Sequence, residues 1–398
     1  MSFCVLLITL LSVLSVSAKA DDEMTLEQFL VDAQGQNLSL KAEGASALAA
    51  KEGAAGIAIP PPMVGVTQMR DDSGQATNFE VIQTIPFPTK ISSEHSARQL
   101  EADSKSAMLS ARGREVSAQA KLIYFKLWKT QERIRLLLDK KAAIEQHLKL
   151  ARAATRSDSF LKIHLIKSES DLDLMENEIL QAEQDKRERQ IQAAIFLNRD
   201  PKTFKVVARE FSLSKLPEER SLEKPNQLEV MRFDLEALKA RESEARSSWF
   251  PEFNLRYREM GGTTMTPRYS EVMVGASLPF IFFWEPKAAS GKAAAERAQG
   301  EYLLEQERRR IQSEQATLFT RAESLKKQLD QFKDKLLPRA EQRVRLVHNV
   351  APRDMETLQD HRETMEALPE LKLKALEVRD QYEEAVAELE KYISGDQQ

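Results

Sequence analysis

The chain has 398 residues, a formal net charge of −4, 30% charged residues and only 13 glycines. The near balance of acid and base gives no electrostatic case for nucleic-acid binding. Scarce glycine beside abundant Ala, Leu, Glu, Gln, Lys and Arg favours long helices over compact α/β domains.

Residues 3–18 are almost wholly apolar, and Ala18-Lys19-Ala20 precedes Asp21-Asp22. The pattern predicts a secretory signal peptide over residues 1–20, although its first residues lack Lys and Arg. Cys4 is the only cysteine, so the expected mature chain has neither disulfides nor thiol chemistry. No later segment is a continuous apolar run long enough for a transmembrane helix. Any passage of this chain through a membrane must therefore use β-strands.

A first helix is predicted over 25–56 and a hairpin over 62–69 and 79–85. A helical stretch follows from about Ser93 to Leu150, roughly 85 Å long at about 1.5 Å per residue. After the turn Ala154-Thr155-Arg156-Ser157-Asp158, the next helix carries the seam Leu161, Leu165, Ser168, Leu172, Met175, Ile179, Ala182. Its steps alternate four and three, the spacing of a coiled-coil stripe. Proline at 201 ends that helix.

Residues 202–224 read as an irregular linker with Pro217. The second half then repeats the plan: a helix over 226–248, a hairpin within 252–279, and a long helix from about Ala288 to Val347. The turn Val350-Ala351-Pro352-Arg353-Asp354 precedes a last helix with the seam Leu371, Ala375, Val378, Tyr382, Ala385, Leu389, Tyr392. Pro369 is expected to kink it. The chain thus divides into residues 1–20, a first repeat over 21–201, the linker 202–224 and a second repeat over 225–398.

The two hairpin blocks are alike. Pro60 to Met69 and Pro251 to Met260 span the same number of residues, and Pro86-Phe87 matches Pro279-Phe280. Each block is a pair of alternating strands about a Gly/Ser/Thr turn. An isolated hairpin is marginally stable, so these must pair with each other or with further copies of the chain.

In the second block Phe253, Leu255 and Tyr257 alternate with Asn254, Arg256 and Arg258. Val272, Val274, Ala276 and Leu278 alternate with Met273, Gly275 and Ser277. One apolar and one polar face suit strands with lipid on one side and water on the other, which makes the seven apolar residues expected membrane-facing positions. The same alternation also suits hairpins packed on a soluble helical core. Four strands cannot close a barrel with a usable interior, so closure implies several copies of the chain.

Several motifs carry a resemblance. Ala245 to Tyr257 reads A-R-S-S-W-F-P-E-F-N-L-R-Y, 274–280 reads V-G-A-S-L-P-F, and 193–201 reads A-A-I-F-L-N-R-D-P. Residues 387–395 read A-E-L-E-K-Y-I-S-G. On these the chain resembles the TolC family of outer-membrane efflux proteins over about residues 25–394. Its I-P-F-P-T-K at 85–90 is similar to members paired with heavy-metal pumps.

The resemblance implies a mainly α fold with a small β part and two internal repeats. It implies a homotrimer whose four strands per chain form one transmembrane β-barrel, continuous with an α-helical periplasmic barrel. It further implies a passive exit duct in the outer membrane of a Gram-negative bacterium, serving a periplasmic adaptor and an inner-membrane pump. Arg156, Asp158, Arg353 and Asp354 fall at the two tip turns, where such a duct closes. These turns lack the glycine usual in the family, and Asp there also serves as an ordinary helix cap.

No catalytic constellation or cofactor motif is present. The five histidines, His95, His147, His164, His348 and His361, show no metal-ligand spacing. Arg308-Arg309-Arg310 reads as a solvated helix face. Trp284 with Phe280, Phe282 and Phe283 fits either a membrane–water interface or a packed helix–strand junction. The competing functional reading is a soluble periplasmic adaptor or coiled-coil scaffold, which the two pairs of long helices and the few strands disfavour.

Overall fold

The computed structural model describes residues 22–56, 58–71, 74–154, 161–218, 222, 225–262, 267–348 and 355–393. The expected signal peptide and both tip turns lie outside these residues.

The chain opens with a short strand, β1 (Asp22–Met24), then α1 (Leu26–Gln36) and α2 (Leu38–Ala54). The single helix expected over 25–56 is divided, and the reason is local. Asn37 leaves the helical region at ψ 121°, and its Oδ1 accepts hydrogen bonds from the Ser39 and Leu40 backbone N–H groups. An Asn side chain that caps the next helix competes with continuing the previous one. Thr25 and Gln28 form a capping box at the start of α1.

Two strands, β2 (Met63–Asp71) and β3 (Gly74–Ile85), precede α3 (Pro88–Ala154), a 67-residue helix about 100 Å long. Helix α4 (Leu161–Phe196) runs back beside it. Asn198, at φ 53°, and the Arg199 N–H bond to the Ala194 carbonyl (2.8 Å) end α4 with a left-handed cap.

The expected irregular linker contains a strand, β4 (Val206–Ala208), paired in parallel with β1. Then come α5 (Asn226–Ser247), β5 (Phe253–Met260), β6 (Tyr269–Ala276) and a 3-10 turn at Pro279–Phe282. The second long helix begins at Trp284, earlier than the sequence suggested, and is interrupted. It runs as α6 (Trp284–Gln331), a π-turn at Phe332–Leu336, and α7 (Leu337–His348). The last helix, α8 (Met355–Glu390), continues through Pro369 without a break.

Helix α3 packs on α4 along one side and α8 along another, and α8 packs on α6. The α3–α4 seam buries Leu137, Ile144, Met175 and Ala182, as the heptad spacing predicts. The α6–α8 seam buries Ile311, Ala322, Leu325, Tyr382, Ala385 and Leu389.

The largest core is a band at mid-height where α1, α3, α4, α8 and the segment after β4 meet. Phe29, Tyr124, Leu127 and Leu197 are wholly buried there. Burying each such side chain contributes on the order of 1.5–3 kcal/mol. Phe211, past β4, stacks on Phe125 at 4.5 Å and meets Trp128 edge-on at 5.2 Å. Arg379 lies between the Trp128 and Phe211 rings, 4.3 and 4.7 Å from their centroids. Trp128 is thus a packing residue of this core.

Candidate membrane sheet and duct surface

The two hairpins pair with each other. Strands β3 and β5 are antiparallel partners, giving one open sheet in the order β2-β3-β5-β6. The register settles which side chains share a face. Phe253 lies opposite Ala276, Leu255 opposite Val274 and Tyr257 opposite Val272. Val81 continues the Tyr257 row and Val64 continues that of Val81. Six of the seven expected apolar positions therefore share one face with Val64, Val66, Phe79, Val81 and Ile85; Leu278 follows just beyond the end of β6.

That face is bare in the single chain. Val66, Val272 and Val274 are 67%, 66% and 73% exposed. A side chain of this kind forgoes about 1.5–3 kcal/mol when left in water. The opposite face holds the polar groups. Glu80 Oε2 accepts from Arg256 at 2.6 Å and from Arg258 at 2.9 Å, and Thr84 donates to Asn254 Oδ1 at 2.7 Å. The Gly261 N–H donates to Asn78 Oδ1, and a Cβ on Gly261 would stand 2.5 Å from the Thr77 carbonyl oxygen. Alternation in the sequence marks Arg256 and Arg258 as polar-face residues. It does not pair them with Glu80, which comes from the other half of the chain.

Where the sheet meets the helices, Lys90 pairs with Glu252 at 2.7 Å and Thr89 with Ser247 at 2.9 Å. The two halves differ at this level. Phe87 is stacked on Phe250 at 4.6 Å. Its counterpart Phe280 and the following Ile281, Phe282, Phe283 and Trp284 are all 54–58% exposed. They lead from β6 into α6, with Phe282 and Phe283 edge-on to Trp284.

Both layers of the chain have free sides. In the sheet these are β2 and β6. In the helical body the contacts run α2, α3, α5, α6 nearer the sheet and α4, α3, α8, α6 farther from it, leaving α2 and α4 free on one side and α6 on the other. Helix α4 exposes Ile166, Leu180, Ile191 and Ile195 on the side opposite its Met175 and Ala182 seam. An unpaired strand edge and an apolar helix stripe are both surfaces that seek partners.

The mid-height band is locked by hydrogen bonds that sequence reasoning missed. Tyr124 donates to the Met24 and Arg209 carbonyls at 2.8 and 2.9 Å, and Tyr382 donates to the Ser214 carbonyl at 2.8 Å. Burial pushes both phenols up to about 12. Glu383, 1% exposed, accepts from the Ser214 N–H through Oε1, while its Oε2 is buried without a hydrogen-bond partner. Burial raises its carboxyl above the usual range, and burial lowers the guanidinium of Arg379 nearby.

Arg156, Asp158, Arg353 and Asp354 lie outside the described residues. Among the described residues no group of three His, Cys, Asp or Glu side chains converges as a metal site, and no helix is long and apolar enough to cross a membrane.

No protein-family model matches the chain, and no curated protein does. Its fold matches solved outer-membrane channels. The open-state MtrE channel of Neisseria gonorrhoeae superposes with a TM-score of 0.77 at 16% identity, covering 92% of this chain and 88% of MtrE. The Campylobacter jejuni CmeC channel gives 0.77 at 11% identity, over 94% and 87% of the two chains. CusC, whose structures show conformational changes accompanying transmembrane channel formation, gives 0.77 at 12% identity over 96% of each. The fold is therefore that of TolC-like outer-membrane channels, mainly helical with a small sheet, as the sequence motifs implied.

Proposed function

We propose that this chain is one protomer of an outer-membrane exit duct. The observation that carries the reading is the coincidence of two open rows, β2 to β6 in the sheet and α4 to α6 in the body. A head-to-tail contact that sets β6 of one copy beside β2 of the next also sets α6 beside α2 and α4. Such a contact closes into a ring when its rotation allows. Three copies give a twelve-stranded barrel continuous with a helical tunnel, the arrangement the family resemblance implies.

In this assembly the bare apolar face meets lipid and the Glu80, Arg256 and Arg258 cluster faces water. Phe253, Leu255, Tyr257, Val272, Val274, Ala276 and Leu278 form part of the membrane band. Phe280 to Trp284 lie at its helix-proximal edge, where aromatic side chains favour the interface. The long helices reach into the periplasm of a Gram-negative cell, and the tip turns with Arg156, Asp158, Arg353 and Asp354 meet an adaptor and close the tunnel. Residues 1–20 direct export, and 21–201 and 225–398 are the two repeats joined by 202–224. The duct passes what a pump supplies, by passive movement and without a cofactor.

The same apolar face argues against a soluble adaptor or scaffold, which would leave it in water. Fractionation decides between them. A duct stays with outer membranes after a high-salt wash, and electron microscopy of detergent-purified protein shows a three-fold tube. Release by salt, or a soluble monomer, would overturn the reading.

A further inference from the structure

The two halves of the chain repeat one another, and the strand registers show how closely. Pro60 and Pro251 precede β2 and β5, and Pro86 and Pro279 follow β3 and β6. Counted from these prolines, Val64 on β2 corresponds to Leu255 on β5, and Val81 on β3 to Val274 on β6. The correspondence holds in space: Val64 lies opposite Val81, and Leu255 lies opposite Val274. The helices follow the same plan, with α2 packed on α3 and α5 packed on α6.

One joint has no copy within the chain. The halves meet where β3 pairs with β5 and α3 packs on α5. The corresponding joint takes β6 and α6 on one side and β2 and α2 on the other. Strands β2 and β6 are the two edges of the sheet.

We propose that the next copy of the chain completes this joint, and that the seam between copies repeats the internal β3–β5 register. The proposal rests on the exit-duct reading and supplies the pairing of that assembly. Val81 faces Tyr257 inside the chain, so Val274 faces Val66 of the next copy. Gln83 faces Leu255, so Ala276 faces Val64 of the next copy. Glu80 faces Arg258, so Met273 faces Thr67 of the next copy.

This register keeps the two faces of the sheet distinct. Val274, Ala276, Val64 and Val66 all fall on the bare apolar face, and Met273 and Thr67 on the other. It also gives a barrel of ordinary shape. The row through Val64 reaches Tyr257, two residues beyond its counterpart Leu255. The same step at every joint around three copies offsets the sheet by about twelve residues over twelve strands. With about 3.3 Å per residue and about 4.8 Å between strands, the strands tilt by about 35°, within the range of closed barrels. A two-residue slip that set Val274 against Val64 would halve the offset and lower the tilt to about 20°. The opposite slip would set Arg70 beside Val272 on the apolar face.

The level where sheet and helices meet points the same way. Phe87 is stacked on Phe250 inside the chain. Their counterparts Phe280 and Ile59 are both exposed, and the seam lays Ile59 of the next copy on Phe280. The two joints share a plan but differ in chemistry. Lys90 pairs with Glu252 in the internal joint, where the seam between copies has Phe283 and Pro61. Glu80 pairs with Arg258, where the seam has Met273 and Thr67. The partner surface is therefore apolar where the internal joint is ionic.

Disulfide trapping tests the register in the full-length protein carrying Cys4→Ser, oxidised in intact cells. Val66→Cys with Val274→Cys is the pair in register. Val64→Cys with Val274→Cys, and Gln68→Cys with Val274→Cys, report the two slips. Residues directly opposite have Cβ atoms about 4.5–5.5 Å apart, against about 7–8 Å for diagonal neighbours. Val81→Cys with Tyr257→Cys is the control, because that pair is opposed within one chain. The expected result is covalent dimers and trimers on a denaturing gel, formed several-fold faster by the pair in register than by either slipped pair. Ile59→Cys with Phe280→Cys should link copies as well, whereas the control should link without gain in mass.

A slipped pair that links faster overturns the proposal. So does the absence of links between copies while the control forms its bond. Either result leaves the duct standing if the parent protein still fractionates with outer membranes as a three-fold tube. A soluble monomer with no links between copies overturns both.

Discussion

The sheet and the mid-height band solve opposite problems with the same residue types. In the band, Tyr124, Leu127 and Phe29 are wholly buried and the polar segment after β4 is tied down around them. In the sheet, valines stand bare on one side while Glu80 and its two arginines cluster on the other. A water-soluble protein follows the first rule throughout. On the exit-duct reading the chain that follows both has two solvents, and the level at which the rule inverts marks where one gives way to the other.

Paired substitutions sharpen the contrast. Leu127→Ala is expected to cost the most, about 2–5 kcal/mol, because it leaves a cavity in a closed core. The midpoint of thermal unfolding of the purified protein, followed by circular dichroism, reads it. The analogous truncation Val274→Ala leaves no enclosed cavity and should hardly move that midpoint. Next comes Val274→Lys, worth about 2–4 kcal/mol if the residue faces mid-bilayer lipid. Its check is the yield of assembled protein in outer-membrane fractions. An undiminished yield would mean that the face is wet and that the sheet follows the same rule as the band.

Gly261→Ala is smaller, about 1–3 kcal/mol, since the new methyl meets the Thr77 backbone and a strand must shift. It should weaken the β3–β5 pairing that joins the hairpins, read as faster hydrogen exchange at Phe79 and Glu259, which are register partners.

Much of this was legible because it repeats at short range. Heptad steps located the α4 seam, and alternation with flanking prolines located β5 and β6, because both depend on neighbours a few residues away. The pairing of β3 with β5 was not legible. Nor was the parallel β1–β4 pair, whose two three-residue strands lie far apart in the chain and carry no alternation to read. The Asn37 break was missed because an asparagine between two helical patterns reads as a tolerated interior residue until its side chain is seen to cap. The π-turn was missed although it has a local cause, Pro338 within the helical run, whose ring crowds the Asp334 carbonyl four residues back. The four tip residues, chosen by resemblance, await their own test by substitution.

The smallest expected effect tests the band from within. Glu383 is buried and its carboxyl titrates above the ordinary range because burial penalises the ionised form. The folded state therefore holds that proton more tightly than the unfolded chain does. By linkage, this group makes stability fall as pH rises from the ordinary carboxyl value through the raised one, with no further change above it. Glu383→Gln keeps an acceptor for the Ser214 N–H and has no charge to bury. The variant should lose that pH dependence and be slightly more stable than the parent at neutral pH, as thermal midpoints across mildly acidic to neutral buffers would show. A variant less stable at neutral pH would mean that the attraction of Arg379 for an ionised Glu383 outweighs its burial. The band would then be held by a buried ion pair.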